Sequence, residues 1–386
     1  MAMDSFLTAE QQDIKRAVRS FAQQEIAPRA RKLEDESLFP SSELDLLARQ
    51  ELMGMGIDPK YGGAGADSLS VVVAIEELAR ACAALSVIFE VHHSLVCKTI
   101  EKRGSKIQKE KYLAPLSRGE MLGAFALTEA GAGSDAAAIK TRALKKEGYY
   151  HLNGSKTFIT SAGRADLYLL LAYTDPDQGR DGISAFLIEK GFPGFTAGEP
   201  EKKMGLHASH TGELHLSDCR VPEENLLGSE GEGYKIALSA LDRGRIGIAA
   251  QAVGITQSAL DHSLAFARER KQFGRQIVDF QAIKFMLAEM VTELRAARLL
   301  TYQAAREEEE GRPITHSASM AKLYASEMAT RQTGRAIQIH GGYGYMEEYQ
   351  VERLMREAKV TEIYEGTSEI QKLVIARELL RGRIQQ

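Results

Sequence analysis

The segment Ile363-Tyr364-Glu365-Gly366-Thr367-Ser368-Glu369-Ile370-Gln371 sets one carboxylate among apolar and small residues, directly before a glycine. A carboxylate held in a dry pocket gains proton affinity, which a base needs in order to act on a weak carbon acid. Thr367 and Ser368 are N-cap candidates for a following helix, so free N–H groups there would suit an anion. The plain structural alternative is a loop glutamate paired with Lys359 or Arg356.

Two further segments carry groups suited to phosphates. Glu269-Arg270-Lys271-Gln272-Phe273-Gly274-Arg275 is a cationic turn after a long helical run, with Gln281 ten residues beyond Lys271. Guanidinium forks recognise phosphate bidentately, so a pyrophosphate fits; cations neutralising a helix C-terminus are the common alternative. Gln338-Ile339-His340-Gly341-Gly342-Tyr343-Gly344-Tyr345 places three glycines among aromatics, a backbone able to lie against a ligand or simply a helix C-cap with its trailing turn. His340 has no second His, Cys or carboxylate at ligand spacing, and no metal site is expected.

Thr128-Glu129-Ala130-Gly131-Ala132-Gly133-Ser134-Asp135 spells, with Ala136, a G-x-G-x-x-A string. A dinucleotide fingerprint requires a helix and a second parallel strand, whereas hairpin-like segments follow here. The segment therefore reads as a glycine loop near a ligand or as a tight turn between strands. In Asn153-Gly154-Ser155-Lys156-Thr157-Phe158-Ile159-Thr160, Asn-Gly predicts a hairpin turn, and Phe158 and Thr160 share one face of the return strand. A ring and a hydroxyl on one face suit a flat heteroaromatic ligand, and equally an ordinary β surface.

The elements that must position these groups fall into three stretches. Thr8–Gln11 predicts a capping box, followed by Ile14, Val18 and Phe21 at helical spacing and by a helix end near Pro28. Further helices are expected from Ser41 through Leu52, Leu69 to Ala84, and Ser86 to Lys102. From Leu122 the period changes to short β-branched or aromatic runs parted by turn signals. From Gly233 helical periodicity returns, over 233–268, 278–309, 315–340 and 369–381. The expected units are a helical one (1–120), a β unit (121–231) and a helical bundle (232–386).

Composition narrows the classes. A net charge of −4 and no basic tract give no reason to expect nucleic acid. Cys82, Cys97 and Cys219 are scattered, which argues against a disulfide framework and fits a reducing, cytoplasmic setting. No secretory signal is evident, and no uninterrupted apolar stretch approaches the ~18 residues of a membrane span.

Taken together, Thr128–Asp135, Asn153–Thr160, Leu241–Arg245 with Arg270–Gly274, Gln338–Gly344 and Tyr364–Gln371 resemble the acyl-CoA dehydrogenase family over nearly the whole chain, nearest its short-chain, butyryl-CoA branch. Ile363–Gln371 is the most specific piece. The resemblance implies a mainly α fold with a central β domain: an α-helical N-terminal domain, a β-barrel-like middle domain and a C-terminal four-helix bundle. It implies FAD, an acyl-CoA substrate, electron-transfer flavoprotein as acceptor and a homotetramer built as a dimer of dimers. Leu127, Thr128, Phe158 and Thr160 match positions around the flavin ring, with Ser134 nearby. Arg270, Gln281, Gln338 and Gly342 match positions serving the FAD of a neighbouring subunit, and Phe273 and Gly341 match further cofactor positions. Thr367 and Glu369 match pyrophosphate positions, and Ser134, Asp242, Arg245, Tyr364 and Gly366 match substrate contacts. Glu365 matches the base that takes the α-proton while the β-hydride passes to the flavin. The position used for the base in the branched-chain branch is Gly244 here.

Glu90 departs from the pattern, because short-chain relatives carry a small neutral residue at this acyl-pocket position. It is expected either to pair with a nearby cation or His92, or to serve as a second base for 1,4-elimination on an alicyclic or unsaturated acyl-CoA. Ser86, where glutaryl-CoA-type members hold an arginine, argues against a dicarboxylic substrate. An acyl-CoA oxidase and a flavin-free helical scaffold are the rival functions.

Overall fold

The computed structural model describes residues 6–384. Eight helices open the chain: α1 (Ala9–Phe21), α2 (Ala27–Asp35), α3 (Ser41–Arg49), α4 (Ser68–Ala81), α5 (Ala83–Glu90), α6 (Lys98–Arg103), α7 (Lys106–Gln108) and α8 (Ala114–Ser117). The capping box forms: the Gln11 N–H donates to Thr8 Oγ1 at 3.2 Å and the Thr8 N–H to Gln11 Oε1 at 3.0 Å. Gln11 also donates to Asp67, whose other oxygen accepts from the Ser70 N–H and caps α4. Pro28 does not end its helix as expected. A π-helical segment, Ala22–Ile26, carries the chain into α2, and Pro28 sits in the first turn of α2, where a missing N–H costs little.

A second π-helical segment, Val91–Cys97, joins α5 to α6. The resulting rod, Ala83–Arg103, is long and apolar enough to cross a membrane by length and composition, yet 94% of its apolar window is buried inside the protein. It is a core helix.

The middle of the chain forms one sheet from β1 (Gly123–Ala126), β2 (Arg142–Lys146), β3 (Tyr149–Thr160), β4 (Leu167–Tyr173), β5 (Ile183–Glu189), β6 (Phe195–Ala197), β7 (Thr211–Pro222) and β8 (Leu226–Leu227), in the order β6-β7-β3-β2-β4-β5-β8 with β1 parallel to β4. β4 and β5 are nearly continuous apolar runs because both of their faces are buried. Asn153-Gly154 is not a hairpin turn. It lies inside the single strand β3, at a register shift against β7, and a Cβ at Gly154 would meet Thr141 Oγ1 at 2.5 Å. The real hairpin turn is Glu147-Gly148, both at positive φ, between β2 and β3.

The rest is helical: α9 (Gly233–Glu269), a small hairpin of β9 (Lys271–Gln272) and β10 (Arg275–Gln276), then α10 (Gln281–Glu309), α11 (Thr315–His340), α12 (Val351–Val360) and α13 (Ser368–Leu380). α9, α10 and α11 pack on one another, α13 on α11, and α4 against α9. The expected order of helices, sheet and helical bundle is the observed one, with α12 as an addition. Its Val351, Leu354 and Ala358 form a buried stripe facing α9 and α11. Glu76 of α4 ties the two helical layers together: Arg298 Nη2 lies 2.9 Å from it, and the Tyr302 hydroxyl donates to it at 2.9 Å.

Candidate active site

Two glycines one turn apart on α9 make room for two acids. A Cβ at Gly244 would stand 2.0 Å from Glu365 Oε2, and one at Gly247 would stand 2.5 Å from Cγ of Glu90. The turn between α12 and α13 delivers Glu365, and the rod through α5 delivers Glu90. Glu90 is wholly buried. Glu365 is half-buried as a residue, but its Oε2 is sealed from solvent. Among the described residues, neither Glu90 oxygen nor Glu365 Oε2 has a hydrogen-bond partner. Desolvation pushes Glu365 up to about 7, while Glu90 first, and then the charges of Lys322 and Arg245, oppose the rise. Desolvation, and then the charge of Glu365, hold Glu90 well above the usual carboxylate range.

Glu90 therefore makes no pair with a cation or with His92, contrary to one of its two expected roles. Both ring nitrogens of His92 are engaged elsewhere, with Cys97 Sγ at 3.4 Å and the Gly123 N–H at 3.1 Å. The nearby Arg243 guanidinium donates instead to Thr99 Oγ1, Ser239 Oγ and the Ser94 carbonyl.

The Glu365 turn is held from several sides. Glu365 and Gly366 both lie at positive φ, +53° and +97°, a conformation that costs a non-glycine residue and needs support. Lys322 Nζ donates to the Gly366 carbonyl at 2.8 Å, and Gln371 Nε2 donates to the same oxygen at 2.9 Å. Arg245 Nε reaches the Glu365 carbonyl at 3.5 Å while its Nη1 pairs with Asp242 at 2.6 Å; Asp242 in turn accepts from Thr315. Tyr364 donates its hydroxyl to Gln251 Oε1. Among the described residues the Glu365 N–H donates to no acceptor. Thr367 is the N-cap of α13, accepting from the Ile370 N–H, and Glu369 is exposed in the first turn.

A second group gathers on the sheet. The Thr157 N–H donates to the Thr128 carbonyl at 2.9 Å, which places Leu127 and Thr128 beside the Thr157–Thr160 end of β3. Phe158 adopts φ +57° at a register shift and is 67% exposed, and Thr160 is partly exposed beyond buried Ile159. Beneath them, fully buried Lys156 donates to the Leu127 carbonyl and to Glu129, which also accepts from Lys140 and Thr141. The glycine loop folds as a tight turn, with Glu129 and Ala132 exchanging backbone bonds. Cβ atoms at Gly131 and Gly133 would meet nothing within 4 Å, and Ser134 follows on the exposed surface.

A third group forms a cleft of about 440 Å³ in which Arg270, Gly341 and Gly342 come together with Phe266 and His340. Arg270 lies over the Tyr343 ring at 5.1 Å, and Cβ atoms at Gly341 and Gly342 would meet open space. Phe273 projects from the β9–β10 turn, 93% exposed, with its ring edge-on to Phe280. Gln281 opens α10, and Gln338 lies in the last turn of α11; neither lines this cleft.

The sequence reading missed Lys322, Gly247, Gln371 and the Glu129–Lys156 pair. Lys322 carried a signal: it falls on the small-residue face of Ala318, Ala321 and Ala325, where a fully buried lysine must have a partner.

The chain matches three family models in succession: acyl-CoA dehydrogenase N-terminal domain over 8–120, middle domain over 124–219 and C-terminal domain over 231–380. It is 51% identical to an acyl-CoA dehydrogenase of Bacillus subtilis (strain 168), covering 97% of this chain and 99% of that one. Butyryl-CoA dehydrogenase from Megasphaera elsdenii superposes with a TM-score of 0.96 at 46% identity, over 97% of this chain and 99% of that chain. A chain solved in a study of the electron transferring flavoprotein of Acidaminococcus fermentans and flavin-based electron bifurcation matches equally, with a TM-score of 0.96, 47% identity and the same two coverages. These matches run the length of the molecule and agree with its helix–sheet–helix order: the chain belongs to the acyl-CoA dehydrogenase family.

Proposed function

We propose that the protein removes two hydrogens from the α and β carbons of a short-chain acyl-CoA thioester, with Glu365 as the base. The observation that carries this reading is the sealed Glu365 Oε2, without a hydrogen-bond partner among the described residues and lying in the space Gly244 leaves free. An α-C–H beside a thioester is too weak an acid for a carboxylate in water. Burial raises the affinity of Glu365 for a proton, and its free N–H can donate to the thioester carbonyl and stabilise the developing enolate. Lys322, Gln371 and Arg245 fix the turn so that both groups of one residue converge on one substrate unit.

The residues present fit FAD, the family's cofactor. Exposed Phe158 and Thr160 beside Leu127 and Thr128 offer a flat ring a surface, and the open backbones of Gly131, Gly133, Gly341 and Gly342 allow close approach. Arg270 supplies a cation for the pyrophosphate of a cofactor shared across a subunit boundary. When bound, FAD supplies the acceptor for the β-hydride, and electron-transfer flavoprotein is the partner that carries the electrons away. Apolar side chains left exposed on the bundle, Phe285 and Val291 of α10 and Leu373 and Leu380 of α13, support a homotetramer. The buried free cysteines support a cytoplasmic location.

Absorbance of the purified protein, followed by anaerobic titration with butyryl-CoA and other acyl-CoA thioesters, tests the reading. A yellow protein bleached by a short-chain thioester is expected; a colourless protein, or one no thioester bleaches, overturns it. Peroxide formed stoichiometrically with aerobic turnover would mark an oxidase instead. The lone carboxyl of Glu90 beside Glu365 favours one second reading, in which the substrate is alicyclic or unsaturated and Glu90 acts on a γ-C–H. That reading requires Glu90→Ser to abolish turnover of alicyclic thioesters while sparing butyryl-CoA.

A further inference from the structure

Glu90 packs against Gly247, one turn along α9 from the glycine that faces the Glu365 carboxyl, and Gly247 also lines a cavity. That cavity, about 340 Å³, has Ser94, His93 and Gly247 at its buried end and the exposed Pro59, Gly65 and Glu309 at its outer end. Gly247 is the residue against which the Glu90 side chain packs, and Ser94, four residues after Glu90, lines the same cavity without a hydrogen bond to that carboxyl among the described residues. The π-helical turn Val91–Cys97 brings Ser94 and His93 to this wall, and such turns recur at functional sites.

We propose that Glu90 is a proton relay, passing the proton that Glu365 removes from substrate through Ser94 into this cavity and so to solvent. The proposal rests on the reading of Glu365 as the base.

The hydrogen-bond account of the two acids supports it. As two carboxylates, Glu90 and Glu365 are acceptors with no donor between them; with one shared proton each is satisfied. Burial and the charge of Glu365 favour that proton on Glu90 at rest, opposed by Ser94 and Arg243. Those are the groups acting on Glu90 from the Glu365 turn, from its own helix and from α9; Tyr364 also faces the pair, kept neutral by burial and by both acids. His93 gives independent evidence for a polar ligand in the cavity. Its Nε2 accepts from the Gly56 N–H, so Nδ1 carries the hydrogen, and this fully buried donor has no partner among the described residues. Water at the inner end would accept it.

The steps balance. At rest the pair holds one proton and one negative charge. When the α-C–H bond breaks, its proton forms an O–H bond on Glu365 and the pair becomes neutral. Glu90 then gives its proton to the Ser94 hydroxyl, which passes its own to cavity water, and the Glu365 proton moves to Glu90. The pair regains its charge while enoyl product still closes the other mouth.

Stopped-flow of the FAD-loaded enzyme with butyryl-CoA, anaerobic and weakly buffered with a pH indicator, tests the relay. In the native protein one proton per flavin should reach bulk water in step with bleaching and ahead of product dissociation. In Glu90→Gln bleaching should persist, while proton appearance slows at least tenfold and follows product dissociation; Ser94→Ala should show the same separation. Should Glu90→Gln give no soluble flavoprotein, Ser94→Ala carries the comparison. Proton release that keeps pace with bleaching in the variant, or that already awaits product dissociation in the native protein, overturns the proposal. So does loss of bleaching in Glu90→Gln, which would make Glu90 necessary for abstraction itself. Failure of the base assignment shows separately, as bleaching by Glu365→Gln.

Discussion

Gly244 and Glu365 are 121 positions apart in sequence and share one volume: a β-carbon on the glycine would stand 2.0 Å from Oε2 of the acid. The absence of that carbon lets the carboxylate lie against α9 rather than swing outward. Alanine raises helix propensity by ~1 kcal/mol over glycine in a helix interior, so Gly244→Ala need not unfold α9. It must displace Glu365. A shift of about 1 Å at a reacting group costs on the order of a hundredfold in rate. The expected result is a roughly hundredfold lower kcat with a thermal midpoint close to that of the native protein, read from steady-state assays and melting curves.

The proton affinity of Glu365 predicts a pH profile. A base raised to about 7 by desolvation is protonated, and therefore inactive, below that pH. kcat/KM for butyryl-CoA should fall roughly tenfold per unit on the acid side of about 7. Stability has the opposite sense. Between the unfolded value, near 4.5, and about 7 the native state binds more protons than the unfolded one, so this group's contribution to stability declines as pH rises. Glu365→Gln should then melt higher than the native protein at pH 8, with the gap closing toward pH 5.

Lys156 beneath the sheet-side surface is a structural cation. It is fully buried, desolvation lowers it to about 8, and its contacts are the Leu127 carbonyl and Glu129. Lys156→Met strands Glu129 beside three remaining donors and should cost about 3 kcal/mol in urea unfolding, together with weaker FAD retention. Full stability with normal flavin content would show that the pair does not shape the loop at Leu127 and Thr128.

Local chemistry made some of this legible in sequence. The Thr8–Gln11 capping box, the Thr367 cap and the long helical stretches follow from rules that act over a few residues, and they stand where expected. Glu365 stood out as a candidate because its neighbours are small or apolar, and the structure buries its Oε2. The errors have tertiary causes. Asn153-Gly154 looks like a turn, but β7 pairs along both sides of it and keeps β3 a single strand. Pro28 looks like a stop, but a π-helical segment resets the hydrogen-bond register just before it. Glu90 seemed to need His92, and the backbone of β1 claims that ring instead. Gly247 had no local mark of its role, and the small-residue face around Lys322 marked a buried lysine without naming its partner, since Glu90 and the Gly366 carbonyl come from distant parts of the chain.

Glu365→Gln tests the central claim most directly, because it keeps the shape of the side chain and removes its basicity. Purified with FAD and mixed anaerobically with butyryl-CoA, the variant should show a normal flavin spectrum that does not bleach, whereas the native protein loses its yellow colour. Near-native bleaching by the variant would contradict the account, for the proton would then be leaving to some other group.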